Sequence, residues 1–339
     1  MDVTIGDDGD RRALAYPALV GRPEPGDTVL LNTTALAMGL GTGGYAMVVA
    51  VPDRLPPDPT GPGHLVKARY SPLQATVLGV DEQDSPHHAL LADADSLTGM
   101  PVIIADLHSA LPPILAGLLG DRPGTRVVYV MPDGGALPAW FSRTAARLRE
   151  ADALAATITV GQAFGGDLEA VTLHTGLLAA RLVLGAEVAI VAQGPGNLGT
   201  GTRWGFSGVG AGEAVNAVSV LSGRPVASLR VSEGDERGRH HGVSHHSLTA
   251  YGRVALARAE VPVPELGGPF GERVAAQAAA LGDRHDLVPV GVTGLQDVLT
   301  AAEQDWCVRM STMGRSLDED LAYFLTAAAA GRHTATLLA

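Results

Sequence analysis

Cysteine is all but absent from the 339 residues: Cys307 stands alone, so no disulfide within the chain can form and a cytoplasmic address is expected. Aromatic residues make up 4%, too few for modules that stack successive bases on aromatic platforms. Positive charge is scarce too. With 24 basic against 36 acidic residues the formal net charge is -12, which repels nucleic acid and anionic membranes, so neither is an expected partner. Any anion must be held locally. The longest apolar stretch, "MPVIIADLHSALPPILAGLLG", is broken by Asp106, His108, Pro112 and Pro113, which a spanning helix accommodates poorly. "MDVTIGDDGDRR" has no apolar region behind a basic one, so no secretory signal is expected.

Hydrophobic residues amount to 46%, ample for a sizeable core, and glycine reaches 43 residues. Up to about residue 95, short apolar stretches ("ALAYPALV", "DTVLLNTTAL", "YAMVVAV") alternate with Gly, Pro and Asp. That pattern predicts a small β-rich, barrel-like module over 1–95. Its tail "PDRLPPDPTGPG" carries too much proline for a helix or a central strand.

From residue 96 to 339 the pattern becomes apolar run, polar loop, helical periodicity, repeated. This predicts a mostly parallel βα-layered domain, Rossmann-like and three-layered, so the fold class is α/β. The expected strands are "PVIIAD", "RVVYVMP", "AATITV", "AEVAIVAQ" and "RPVASLRVS". Their loops carry nearly all the reactive side chains and should converge on one edge of the sheet. Helix starts are expected at Ser109 and Asp167 as N-caps. The final helix "DLAYFLTAAAAG" is expected to follow a Ser316/Glu319 capping box and stop at Gly331.

"QGPGNLGTGTRWGFSG" matches GxGxxG, yet no helix opens at its third glycine, Gly199, and Glu233 arrives too late for a ribose partner. A nicotinamide cofactor is therefore disfavoured, and no GKS or GKT supports a P-loop. What is left is a backbone-rich loop, Gly194, Gly196, Asn197, Gly199, Thr200, Gly201 and Thr202, with the charge of Arg203 beside it. Together they are candidates to bind a small-molecule anion. Glycines serving only tight packing are the alternative.

Asp106 and His108 form D-x-H at a strand end, sharing a face if the chain stays extended. Such a pair orients a base or ligates a metal. Asp133 in "MPDGGALP" is a second strand-end carboxylate, or else an ordinary turn residue. "RHHGVSHHS" concentrates His240, His241, His245 and His246; His241 and His245, spaced i,i+4, are candidate ligands for a divalent metal, although Gly242 weakens a helix there and HExxH is missing. A solvated histidine-rich loop is the alternative. "GFSGV" lacks the last glycine of GxSxG, and Cys307 has no histidine near it in sequence, so covalent catalysis is disfavoured.

Six ordered segments, "GDTVLLNTTALAMGLGTGGY", "KARYSPLQ", "MPDGGALPAWFS", "GQAFGGDLEAV", "GPGNLGTGTRWGFSG" and "GVSHHSLTA", resemble the motifs of a bacterial family catalogued as domain of unknown function 3866. The resemblance implies a bacterial protein and carries no activity. The residues themselves favour an enzyme, a metal-assisted hydrolase acting on a phosphorylated or nucleotide-like molecule, with Asp106, His108, Asp133, His245 and His246 as its chemical groups. The alternatives are a non-catalytic metabolite-binding protein and a structural homo-oligomer, whose Ala- and Gly-rich helices allow close packing.

Overall fold

A computed structural model of the protein describes residues 1–6, 9–58 and 60–338. Contacts divide the chain into Met1–Leu78 and Gly79–Ala339. The first unit runs β1 (Asp2–Thr4), β2 (Asp10–Leu14), α1 (Pro17–Val20), β3 (Leu30–Asn32), α2 (Thr34–Ala37), β4 (Ala46–Ala50), β5 (Leu65–Lys67) and β6 (Ala75–Val77). Its main sheet has the order β1-β2-β4-β3 and is mixed, since β2 and β4 are parallel and the other pairs antiparallel. Ala13, Val20, Ala46 and Val48 form its small core. The segment 79–95 belongs with the second unit, where Val80 donates its N–H to the Glu169 carbonyl.

The second unit contains α3 (His88–Leu91), β7 (Pro101–Ala105), α4 (Leu111–Asp121), β8 (Val127–Met131), α5 (Arg143–Glu150), β9 (Ala156–Thr159), β10 (Leu168–Glu169), α6 (Leu173–Leu182), β11 (Val188–Ala192) and α7 (Gly210–Val220). Then come β12 (Arg224–Ala227), β13 (Val231–Ser232), β14 (Gly242–Val243), α8 (His245–Thr249), β15 (Glu260–Glu265), α9 (Gly268–Ala278), β16 (Asp286–Gly291), α10 (Leu295–Asp305), β17 (Ser311–Thr312), β18 (Arg315–Ser316) and α11 (Leu321–Ala335). Eight strands form one parallel sheet in the order β10-β9-β8-β11-β7-β12-β15-β16.

Both faces of this sheet are covered, which is why its central strands read as unbroken apolar runs. Val102, Ile104, Val128, Val130, Ala189 and Val191 pack on one side with α6, α7 and α9. Ile103, Val127, Tyr129, Val188 and Ile190 pack on the other with α4, α5, α10 and α11. The chain leaves β7 toward α4 and the adjacent β11 toward α7, on opposite faces. Connections that diverge in this way open a crevice at the C-terminal ends of the two strands.

All five expected strands form, though "RPVASLRVS" is divided between β12 and the hairpin strand β13. Two further strands, β15 and β16, were not expected. Their prolines, Pro262, Pro264 and Pro289, argue against a strand, and β15 tolerates two because its ladder to β12 is a single bridge, Val226 with Glu260. Three helix boundaries need correction. Ser109 does not cap α4; its hydroxyl bonds Tyr323 and Thr312. Asp167 does not cap α6, because Leu168–Glu169 pairs as a strand and Thr172 caps instead, accepting from the Thr175 N–H at 3.2 Å. Ser316 and Glu319 do bond each other, but they sit in the turn before α11.

Gly331 is not a stop either: it lies inside α11, which continues to Ala335. A Cβ at Gly331 would run into the Ile114 carbonyl of α4, and one at Gly117 of α4 would run into the Ala328 carbonyl. Backbone packs on backbone at both places. Alanine raises helix propensity over glycine by about 1 kcal/mol, whereas overpacking costs about 1–3 kcal/mol. Gly331→Ala and Gly117→Ala are therefore expected to lower the denaturation midpoint in equilibrium unfolding. A rise in either variant would contradict this account of the crossing.

Candidate functional site

At the crevice, Asp106 directly follows β7 and Gln193 directly follows β11. Gln193 donates through Nε2 to the Asp106 carbonyl at 2.9 Å and to Asn197 Oδ1 at 2.8 Å, so it staples the two strand ends. Around them lies a cleft of about 530 Å³ with walls of Val160, Val171, Val191 and Ala214, and with Asp133, Ser207 and Glu213 at its edges. The Asp106 side chain is 4% exposed, and its Oδ2 has no hydrogen-bond partner among the described residues.

What faces that oxygen is a buried ionic cluster. Arg230, 3% exposed, follows β12 and places Nη1 3.9 Å from Asp106 Oδ2 and Nη2 3.9 Å from Asp235 Oδ2. A buried guanidinium requires such partners, since desolvation costs several kcal/mol per ion. Asp235 is also held by Arg237, at 2.8 and 2.6 Å, and by Arg315 at 3.4 Å. Arg315 in turn reaches Asp320, whose carboxylate accepts from Ser232 Oγ at 2.6 Å and from the Glu233 and Gly234 N–H groups. The β13–β14 and β17–β18 hairpins are thereby linked through charge.

The β13–β14 hairpin also delivers the histidines. Gly242 sits there at φ +86°, a conformation that strains any other residue, and a Cβ would also press on the Gln277 amide. Ser244 then caps α8, its Oγ accepting from the His246 N–H at 3.2 Å. As a result His240, His245 and His246 gather, with one nitrogen from each lying within 4.8 Å of the others. His246 Nδ1 is 3.5 Å from Asp106 Oδ2 and 3.3 Å from Arg230 Nη1, and its ring stacks on Phe206 at 3.8 Å. With the proton on Nδ1, His246 points it at Asp106 and leaves Nε2 free as a ligand; with the proton on Nε2, Nδ1 accepts from Arg230. His240 Nδ1 is 2.8 Å from Ser244 Oγ, and His245 Nε2 is buried with no partner. Burial first, then the charges around them, push His240 down to about 3 and His245 to about 4. Both rings are neutral at pH 7, the form that ligates metals.

The D-x-H pair does not converge. The chain enters a tight turn at His108, whose Nδ1 is 3.1 Å from Tyr129 Oη and whose Nε2 is 2.7 Å from Ser142 Oγ. Tyr129 donates to the Gln193 carbonyl at 3.2 Å, and Ser142 accepts from the Ala145 N–H at 2.9 Å. A neutral ring protonated on Nδ1 satisfies this whole chain, and burial holds the His108 pKa at about 4. His108 is a half-buried strut. His241 also stands apart, its ring against Phe270, so His240 takes the place expected for it beside His245. Asp133 lines the cleft, with Oδ2 accepting from the Gln162 N–H at 2.8 Å.

The glycine-rich loop divides into three parts. Gly194, Gly196 and Asn197 line a separate cleft with His108 and Arg309. A Cβ at Gly135 would strike the Gly194 carbonyl, so glycine here lets two strand-end loops touch. From Gly199 to Gly205 the loop closes on itself: Thr200 N–H donates to the Gly205 carbonyl at 2.7 Å, and Thr202 Oγ1 accepts from Gly205 N–H at 3.1 Å. Gly201 forms its turn at φ +77°. Arg203 and Trp204 project from the tip into a groove of about 720 Å³ that His245 also lines.

Arg230, Asp235, Phe206 and Ser244 were missed as candidate residues, and His240 was counted only in its cluster. Arg230 had a readable signal. A cation inside the apolar run "RPVASLRVS" can be buried only if paired, and "EGDE" follows directly.

Fold and site together define a doubly wound α/β protein with a histidine, carboxylate and arginine cluster at its switch-point crevice. Residues 12–331 match the family described as Protein of unknown function (DUF3866), and the chain belongs to that family. A search of the curated proteins finds no match. Among the described residues no helix is long and apolar enough to cross a membrane.

Hydrogen bonds and the charge of Arg237 hold the Asp235 carboxyl well below the usual carboxylate range. A depressed folded-state pKa contributes stability that is complete above the unfolded value, near 3.8, and is lost as pH falls through the folded one. Asp235→Asn should therefore cost about 3 kcal/mol at pH 7, the scale for orphaning a buried ion partner, and the deficit should shrink below about pH 4. Urea unfolding across pH checks this, and a deficit constant down to the acid limit would refute it.

Proposed function

We propose that the protein is a metal-assisted hydrolase acting on a phosphorylated or nucleotide-like small molecule. The observation that carries this reading is the meeting of His240, His245 and His246 in space, with an Asp106 carboxylate oxygen that accepts no hydrogen bond among the described residues 3.5 Å from His246. Three protein ligands and one open position are the pattern of catalytic zinc sites. Nitrogens bound at about 2.1 Å in tetrahedral geometry lie about 3.4 Å apart, so small side-chain rotations close the present spacing around an ion.

His240, His245 and His246 would hold the ion, which would supply a water acidified to near neutral pH. Asp106 would orient His246 by accepting a hydrogen bond from its Nδ1–H, as carboxylates do behind metal-ligating histidines. Asp133 is the second carboxylate of the cleft. Water adds across the ester: its oxygen bonds the phosphorus, the bond to the leaving oxygen breaks, and the proton ends on that oxygen. Phe206 stacks on His246 and keeps bulk water from that face of the ring.

Metal analysis of purified protein tests the reading. About one divalent ion per chain is expected, lost in His240→Ala and His245→Ala but retained in His241→Ala. Hydrolysis of p-nitrophenyl phosphate should stop on chelation and return with zinc or manganese. Asp106→Asn also removes a partner of Arg230 and should lower stability; measured on the folded fraction, its rate should fall about 10–100-fold. If no metal binds and no chelator-sensitive hydrolysis appears, the proposal is wrong.

A further inference from the structure

The groove beside His245 carries charge of one sign only. Arg203, Arg253 and Arg284 line it together with Trp204 and Leu281, and no carboxylate does, in a chain of net charge -12. Arg258 pairs with Asp286 and Arg147 with Glu150, whereas Arg203 and Arg253 have no side-chain partner among the described residues. Arg284 is positioned by its Nη1 bond to the Ala255 carbonyl at 2.6 Å.

Trp204 is 55% exposed. It is not on a free loop. The turn carrying it is closed by the Thr200–Gly205 bonds, and the next residue but one, Phe206, is stacked on His246. An aromatic face and a guanidinium are thus presented on a preorganised turn, which lowers the ordering cost of binding.

We propose that this groove binds a nucleoside diphosphate or closely similar molecule, with the phosphates on Arg203, Arg253 and Arg284 and the planar base on Trp204. Guanidinium forks match phosphate oxygens, and a base stacks on an indole regardless of its identity. His245 belongs to both the groove and the histidine cluster, so a phosphate held here is delivered to the hydrolytic centre. The link to catalysis rests on the hydrolase reading above; the binding does not.

The test uses the full chain treated with chelator, so that binding is read without metal or turnover. ADP should quench tryptophan fluorescence saturably, pyrophosphate should compete without quenching, and adenosine should bind at least tenfold more weakly than ADP. Arg203→Glu/Arg253→Glu should weaken ADP and pyrophosphate alike by tenfold or more. Trp204→Leu should remove the quench and weaken ADP about tenfold while leaving pyrophosphate unchanged. Undiminished ADP binding in the double variant, or no ADP binding at millimolar concentration by the native chain, overturns the proposal. In the second case chelator-sensitive hydrolysis would still leave the metal centre standing, so the two readings fail separately.

Discussion

A guanidinium buried to 3% exposure between two carboxylates is the constraint around which this site is organised. Arg230 cannot stay charged in the interior without Asp106 on one side and Asp235 on the other, and both lie 3.9 Å away. Asp106 directly follows the central strand β7, and Asp235 lies in the loop after β13. Meeting this one electrostatic demand therefore draws the β13–β14 hairpin over the strand ends, and with it the segment that carries His240, His245 and His246. Arg315 and Asp320 extend the same chain of charges to the start of α11.

Close backbone contact is the second theme. Gly331 and Gly117 let α11 and α4 touch, Gly135 lets the loops after β8 and β11 touch, and Gly242 lets the histidine hairpin sit against Gln277. Glycine is abundant here because layers and loops meet without intervening side chains. The loop after β11 is a case in point, since its threonine hydroxyls and N–H groups are largely consumed by its own turn. What it offers outward is the Arg203–Trp204 tip.

Much of the fold was legible in the residues. Five apolar runs became five strands, because a sheet covered on both faces needs apolar side chains on both. β15 and β16 were hidden by proline, which an outlying strand with a sparse ladder tolerates. The caps were misread where local signals were outcompeted. Asp167 lost its helix because Leu168–Glu169 extended the sheet, and Gly331 continued through α11 because a neighbouring helix occupied the space beside it. At the site, the proposed roles of Asp106, His245 and His246 rest on groups the fold brings together. His108 is turned away by a tight turn that satisfies both its ring nitrogens.

Composition and periodicity were enough to establish the layered α/β class and the placing of polar groups at strand ends, since both follow from local hydrophobic pattern and chain direction. Which of those groups meet was decided in three dimensions. His240 rather than His241 joins His245, and Asp106 faces His246 rather than His108. The partners lie far apart in the chain, and only the strand order, the hairpin over the crevice and the need to neutralise Arg230 bring them together.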